Sequence, residues 1–224
     1  MTTPLAPRSA AGPHAGPVHQ LILGGQKSGK SRHAELCAAQ WLATAPGHRA
    51  TLLATAQAGD AEMAARIARH QADRALRVPG LATCELATCE LAIRELATAG
   101  ANQPPSTRAG DLPAALARLS APGHLLVVDC LTLWLTQQLM PLHGPGLDDA
   151  ALAAEQARLL QALAQAPGPV LLVSNEIGLG VSPLGAEVRR FLDALGQLHQ
   201  AVAAVCGRVS LLVAGCVLTV KAPA

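Results

Sequence analysis

Short, nearly continuous apolar runs alternate along this chain with longer stretches in which Ala and Leu recur among polar residues. The first run, Val18 to Leu23, ends in Gly24-Gly25; a polar-Ala-Leu pattern from Lys30 to Ala45 follows and stops at Pro46-Gly47. That order predicts strand, turn and helix. An unbroken apolar run suits a strand covered on both faces, whereas recurrence every three or four residues suits a helix with one buried stripe. Thr51 to Ala54 is a second predicted strand, and Asp60 is placed to cap a helix from about Ala61 to Asp73. Further strands are expected at Leu125 to Val128, Val170 to Ser174 and Val209 to Ala214. Such strands, alternating with helices, predict a mostly parallel α/β sheet flanked by helices.

Two stretches break the rhythm. Residues 1 to 17 hold Pro4, Pro7, Pro13 and Pro17 among Gly and Ala and show neither period, so a flexible tail is expected, with one domain over 18 to 224. Leu81-Ala-Thr-Cys-Glu85 recurs as Leu86-Ala-Thr-Cys-Glu90 and, imperfectly, as Leu91-Ala-Ile-Arg-Glu95. A period of five is neither 2 nor 3.6, so its leucines would spiral round a helix without forming one stripe. With the Pro104-Pro105 region after it, residues 81 to 110 read as a repeat-derived insertion and loop.

Composition narrows the picture. A chain of 224 residues that is 50% hydrophobic can bury one sizeable core. Trp41, Trp134 and Phe191 are its only aromatics, so the core must be built from Leu, Val, Ile and Ala, which favours helices lying close on a sheet. A net charge of +2 with no basic-aromatic block argues against a nucleic-acid partner. None of the six cysteines forms a C-x-x-C pair, so no metal is read from them, and reduced thiols are expected. No apolar run reaches eighteen residues, so no membrane span is expected and the cytoplasm is the predicted location. His14, His19, His33, His48, His124, His143 and His199 are scattered without ligand spacing, and most of them are expected to face solvent. Asp148-Asp149 before an Ala/Leu helix reads as a helix cap.

The strongest chemical signal is Gly24-Gly25-Gln26-Lys27-Ser28-Gly29-Lys30-Ser31, a G-x-x-x-x-G-K-[ST] sequence between a predicted strand and a predicted helix. Glycines at its ends let successive N–H groups turn toward phosphate oxygens, and the helix start adds its positive end. Lys30 carries an ammonium to the β and γ phosphates, and the Ser31 hydroxyl is a Mg²⁺ ligand. Leu125 to Val128 ends in Asp129, a carboxylate at the carboxyl end of a strand, where open α/β sheets place ligands; it is a second candidate for Mg²⁺. The expected fold is therefore α/β, of the P-loop NTPase-like, RecA-like kind. The chain lacks an Asn-Lys-x-Asp guanine reader and a D-x-x-G switch after Asp129, which excludes a switch GTPase.

Several segments together resemble the bifunctional adenosylcobinamide kinase / adenosylcobinamide-phosphate guanylyltransferase family. Gly24 to Glu35 matches GG-x-x-SGKS-R-x-AE, and Glu62 to His70 matches E-M-x-x-R-I-x-x-H. Asp129 to Thr136 matches D-C-L-T-x-W-x-x, with Gln137 where Asn is common, and Val173 to Gly180 matches V-[ST]-N-E-[VI]-G-x-G. The run from Leu212 to Lys221 resembles the family's closing strand, so the likeness extends from about residue 20 to 221.

The resemblance implies a cobalamin-assembly enzyme with two reactions at one nucleotide site. It phosphorylates adenosylcobinamide with ATP or GTP, then transfers GMP from GTP to adenosylcobinamide phosphate, giving adenosyl-GDP-cobinamide. It makes His70 the guanylylated nucleophile, with Lys30 the catalytic cation; neutral imidazole suits that role near its ordinary pKa of about 6.5. Met63, Ile67 and His70 share one helical face, which would point His70 inward or toward a cleft. The resemblance also implies nucleotide contacts at Ala54, Thr55 and Ala56 and at Gln71, Ala72, Asp73 and Arg74. For Arg74 the residues alone suggest an exposed helix-end arginine. In the family's W-x-T-x-E element Leu81 replaces Trp, and Thr83-Cys84-Glu85 and Thr88-Cys89-Glu90 compete for the match; Glu85 is chosen. A homo-oligomer, a trimer in the family, is implied as well. The residues by themselves leave open a monofunctional P-loop small-molecule kinase or ATPase with a structural His70, and a nucleotide-sensing protein.

Overall fold

Six strands run parallel in one seven-stranded sheet, and only the last reverses. The computed structural model describes residues 17–57, 61–86 and 111–223, with the side chains of Met63 and Arg66 set aside. The strands are β1 (Gln20–Gly24), β2 (Arg49–Ala54), β3 (Leu81–Glu85), β4 (His124–Asp129), β5 (Val170–Asn175), β6 (Arg208–Val213) and β7 (Cys216–Lys221). Their order across the sheet is β3-β2-β4-β5-β1-β6-β7. One strand, β5, therefore stands between the strand that opens the glycine-rich loop and the strand that ends in Asp129, as the RecA-like expectation requires.

Alternation along each strand feeds two cores. Leu21, Leu53, Leu126, Val128 and Leu172 face one layer; Ile22, Leu52, Val127, Leu171 and Val173 face the other. The first layer is built from α3 (Leu112–Leu119), α4 (Leu131–Leu139), α5 (Asp149–Gln165) and α6 (Ala186–Val205). The opposite layer is α1 (Lys30–Thr44), whose Ala34 and Ala38 let the helix lie close on the sheet. Beside it, α2 (Ala61–Arg77) packs on the edge strand β3. Asp148 caps α5 as expected, its carboxylate accepting from the Ala151 N–H at 2.8 Å.

Four expectations need correction or a boundary. The first copy of the pentapeptide is not inserted loop: Leu81–Glu85 is β3, paired parallel to β2 from Ala50↔Leu81 to Ala54↔Glu85. At a sheet edge one inward Leu and a backbone ladder suffice to make a strand, so a helical period is irrelevant there. Leu86, the first residue of the second copy, is buried in the core. The closing run after Leu212 is a hairpin, in which Ala214 (φ 51°) and Gly215 (φ 80°) turn β6 into antiparallel β7. The tail to residue 16, the proposed Asp60 cap and residues 87–110 lie outside the described residues. Cys37, Cys130, Cys206 and Cys216 are free thiols, but Cys84 is disulfide-bonded, contrary to the expectation of reduced cysteines. No described helix is long and apolar enough to cross a membrane.

Candidate active site

Strand register brings the expected site residues to one edge of the sheet. Ala54 is level with Glu85 on one side and Asp129 on the other, and Gly24 is level with Asn175. All stand at carboxyl ends, where an open parallel sheet leaves a crevice.

The loop from Gly24 to Ser31 joins β1 to α1 in a tightly held turn. Lys27 (φ 57°) and Gly29 (φ 100°) take left-handed conformations, and the loop is pinned from outside as well as within. The Ser28 N–H donates to the Gly25 carbonyl at 3.2 Å, Glu176 N–H to the Gly24 carbonyl at 2.9 Å, and Gly215 N–H to the Ser28 carbonyl at 3.0 Å. Lys30 is buried, and its ammonium donates to the Gly25 carbonyl at 2.6 Å and lies 3.5 Å from Ser28 Oγ. Burial lowers its pKa from the ordinary lysine value, while Cys130 and Asp129 oppose that shift. Gly25, Gln26, Lys27 and Ser31 are exposed around it, so the cradle opens to solvent.

Asp129 closes the site from β4. Burial raises its carboxyl pKa above the usual range; a hydrogen bond from the Ser31 side chain and the charges of Arg74 and Lys30 pull the other way, while Glu35 adds to the rise. Thr55 holds the turn that follows. Its N–H donates to the Asp129 carbonyl at 3.0 Å, its hydroxyl donates to the Cys130 carbonyl at 2.8 Å, and the Cys130 N–H donates to Thr55 Oγ1 at 2.7 Å. Gln137 adds a side-chain bond to the Thr55 carbonyl. The Asp129–Cys130 peptide is cis.

A buried ion cluster ties α2 to α1. Glu35 accepts from Arg77 at 2.8 and 3.2 Å and stands 3.5 Å from Arg74 Nε. Arg74 also donates to Thr83 Oγ1 of β3 at 3.1 Å, and Gln71 donates to Glu85 at 2.5 Å. Arg74 is thus an inward, buried side chain and not the exposed helix-end arginine that its position suggested. The inward stripe of α2 is Ile67, Gln71 and Arg74, with Val78 just beyond. At about 100° per residue, His70 lies roughly 70° off the centre of that stripe, and its side chain is exposed rather than turned inward. Ala72 and Asp73 are exposed as well, Ala72 about 200° round the helix from His70. The register thus gathers the Gly24–Ser31 loop, Ala54, Thr55, Asp129 and Glu85, whereas His70, Ala72 and Asp73 are exposed on α2.

Sequence reasoning missed a polar network behind the loop. His199 is buried, as are His19 and His124, where most of the scattered histidines were expected to face solvent. His199 Nε2 is 2.7 Å from Ser174 Oγ, which is 3.0 Å from Thr132 Oγ1. His19 Nδ1 accepts from the Val170 N–H, and His124 Nε2 meets Thr51 Oγ1. The signal was present for His199: it shares a helical stripe with Leu195, Leu198 and Val202.

The family model described as cobinamide kinase / cobinamide phosphate guanyltransferase matches residues 20–99 and 105–220. The bifunctional adenosylcobalamin biosynthesis protein CobP of Pseudomonas aeruginosa is 41% identical over 208 residues, 91% of this chain and 98% of that protein. The bifunctional adenosylcobalamin biosynthesis protein CobU of Salmonella typhimurium is 32% identical over 209 residues, 90% of this chain and 98% of its own. Among solved structures, flagellar accessory protein FlaH of Methanocaldococcus jannaschii aligns at TM-score 0.45 and 10% identity, over 93% of this chain and 80% of that one. With the loop, the Asp129 strand and the α2 segment all inside the matched residues, the chain belongs to the cobinamide kinase / cobinamide phosphate guanyltransferase family.

Proposed function

We propose that this chain uses the Gly24–Ser31 cradle for both reactions of its family: phosphorylation of adenosylcobinamide with ATP or GTP, then guanylyl transfer from GTP to the new phosphate. The observation that carries the reading is the grouping of Lys30, Ser31 and Asp129 at the mouth of the cradle, in a chain matched by the family model from β1 to β7. Loop N–H groups and the Lys30 ammonium neutralise the triphosphate, and Lys30 follows the transferring phosphoryl group. Ser31 and Asp129 would hold Mg²⁺. Their donors are hard oxygens already hydrogen-bonded to one another, a set that suits an ion taking its remaining ligands from phosphate and water. Mg²⁺ supplies neutralisation of the phosphate charge when bound.

In the second reaction a ring nitrogen of His70 attacks the α-phosphorus of GTP. A phosphorus–nitrogen bond forms, the bond to the β-phosphate oxygen breaks, and pyrophosphate leaves. An oxygen of adenosylcobinamide phosphate then displaces the imidazole to give adenosyl-GDP-cobinamide. The exposed ring on α2 supports this role, because a nucleophile must be reachable by substrate. Ala54, Thr55, Ala56, Gln71, Ala72, Asp73, Arg74 and Glu85 are assigned to the rest of the nucleotide, with Glu85 and Gln71 acting as a hydrogen-bonded pair. The enzyme works as a cytoplasmic homo-oligomer, a trimer, for which Val217, Leu218 and Val220, exposed on β7, offer an apolar edge; light scattering measures that state.

Incubation with α-labelled GTP is the direct test. An acid-labile, alkali-stable protein label that His70→Ala abolishes is the expected result, with kinase turnover retained. Lys30→Ala should lower both reactions by about 10²-fold or more. A His70→Ala protein that still transfers GMP ends the histidine assignment, whereas a parent chain that takes no label removes the covalent step and leaves a kinase.

A further inference from the structure

Behind the cradle, Thr132 in the first turn of α4, Ser174 near the end of β5 and His199 on α6 are 8%, 0% and 7% exposed. The Asn175 N–H donates to Thr132 Oγ1 at 2.8 Å, and Glu176 Oε2 stands 3.6 Å from His199 Nδ1. With the Thr132–Ser174 and Ser174–His199 contacts, these form one chain of polar atoms. Buried polar atoms need partners, and a hydroxyl has one proton to give and two lone pairs. The carboxylate of Glu176 selects the tautomer with its proton on Nδ1. Nε2 then accepts from Ser174, Ser174 accepts from Thr132, and Thr132 accepts from Asn175. Every group is satisfied in that single direction. A proton on Nε2 reverses the chain: Ser174 must donate to Thr132, both Thr132 lone pairs are taken, and the Thr132 hydroxyl proton has nowhere to go within the network.

The chain ends on both sides of the nucleotide site. Strand β5 lies between β1 and β4, Glu176 N–H holds the Gly24 carbonyl, and Thr132 follows Asp129 by three residues. We infer that His199 is a positioning residue for phosphoryl transfer: its neutral imidazole, accepting the Ser174 proton, fixes the ends of β4 and β5 around the cradle, and protonation loosens them. This rests on reading the Gly24–Ser31 loop as the phosphate site. Burial holds the ring pKa below its ordinary value, and Glu176 opposes that shift. Among the described residues, Glu176 is the charged group beside the ring. Strands β1 and β5 and helix α4 carry no titratable side chain. On α5, Asp149 pairs with Arg190 of α6 while Glu155 and Arg158 pair together; Asp193 of α6 is exposed, and Lys221 is bound to carbonyls at the end of α6.

The test is the pH profile of kcat for phosphorylation, at saturating ATP and adenosylcobinamide, from pH 5 to 8. The parent chain should lose rate on the acid side. His199→Gln, whose amide oxygen accepts from Ser174 without titrating, should keep kcat within about threefold at pH 8 and flatten that acid loss. His199→Leu should hold kcat about tenfold below the parent's pH 8 value across the range, with the KM for ATP little changed. Ser174→Ala, which removes one oxygen, should reproduce the loss and serves if the Leu variant does not fold. An acid limb in His199→Gln identical to the parent's, or full kcat in Ser174→Ala, overturns the inference. A parent chain that neither binds nor turns over ATP at any pH overturns the reading of the loop itself.

Discussion

Gly24 has no space for a side chain, since a Cβ there would stand 2.5 Å from the Leu212 carbonyl oxygen and 2.6 Å from Ser28 Oγ. The first of those atoms is backbone in a neighbouring strand and cannot step aside. Gly24→Ala should therefore shift the loop entrance away from β6, and isothermal titration should show nucleotide affinity lowered by about tenfold or more. Glu35 poses a different single-residue question, because its carboxylate is almost fully buried against two arginines. Glu35→Ala leaves Arg74 buried with its main charge partner gone, and urea unfolding should show a loss of about 3 kcal/mol. Arg77 adds little to that figure, being well exposed.

At the scale of elements, the edge strand β3 makes a prediction from the sequence of the repeat. Because Leu86 to Glu90 copies Leu81 to Glu85, deleting it leaves Leu-Ala-Thr-Cys-Glu in the ladder and brings Leu91 to the place of buried Leu86. Thr83 and Glu85, which hold Arg74 and Gln71 of α2, are kept. The deletion should leave kinase activity within about threefold of the parent, whereas Leu86→Asp, which buries a charge, should destabilise the protein by several kcal/mol, about 3 or more, in urea. Core strands and the loop-to-α1 junction were legible because each satisfies its own local rule. The edge strand was not, since its pairing partner, β2, and not its own period makes it a strand.

For the molecule as a whole, buried histidines set the response to acid. Burial lowers the pKa of His19, His124 and His199 below the ordinary value. Above about pH 6.5 they are neutral in both folded and unfolded chains, so their contribution is constant. Below it the unfolded chain takes up protons that the folded one refuses, and stability falls with pH until the lowered folded values are reached. The melting temperature should drop between pH 7 and pH 5, and His124→Gln should reduce that drop; an unchanged slope would remove His124 from the account. The architecture of helices on both faces of one sheet, which buries these rings, also unites the site, because β5, interposed between β1 and β4, carries Ser174 and Asn175 to the middle of the crevice.

Local rules written in the chain determined the parallel α/β class, the strand–loop–helix around the glycine-rich loop, the Asp129 strand end and the family, because turn chemistry, apolar runs and motif spacing are properties of neighbouring residues. Tertiary structure alone decided the rest. Arg74 turned inward because Glu35 waits on α1, Leu81–Glu85 became a strand because β2 offered a free edge, and His199 went into the core because α6 laid it on Ser174. In each case the deciding partner is distant in sequence, and only packing brings its charge, ladder or hydroxyl within reach.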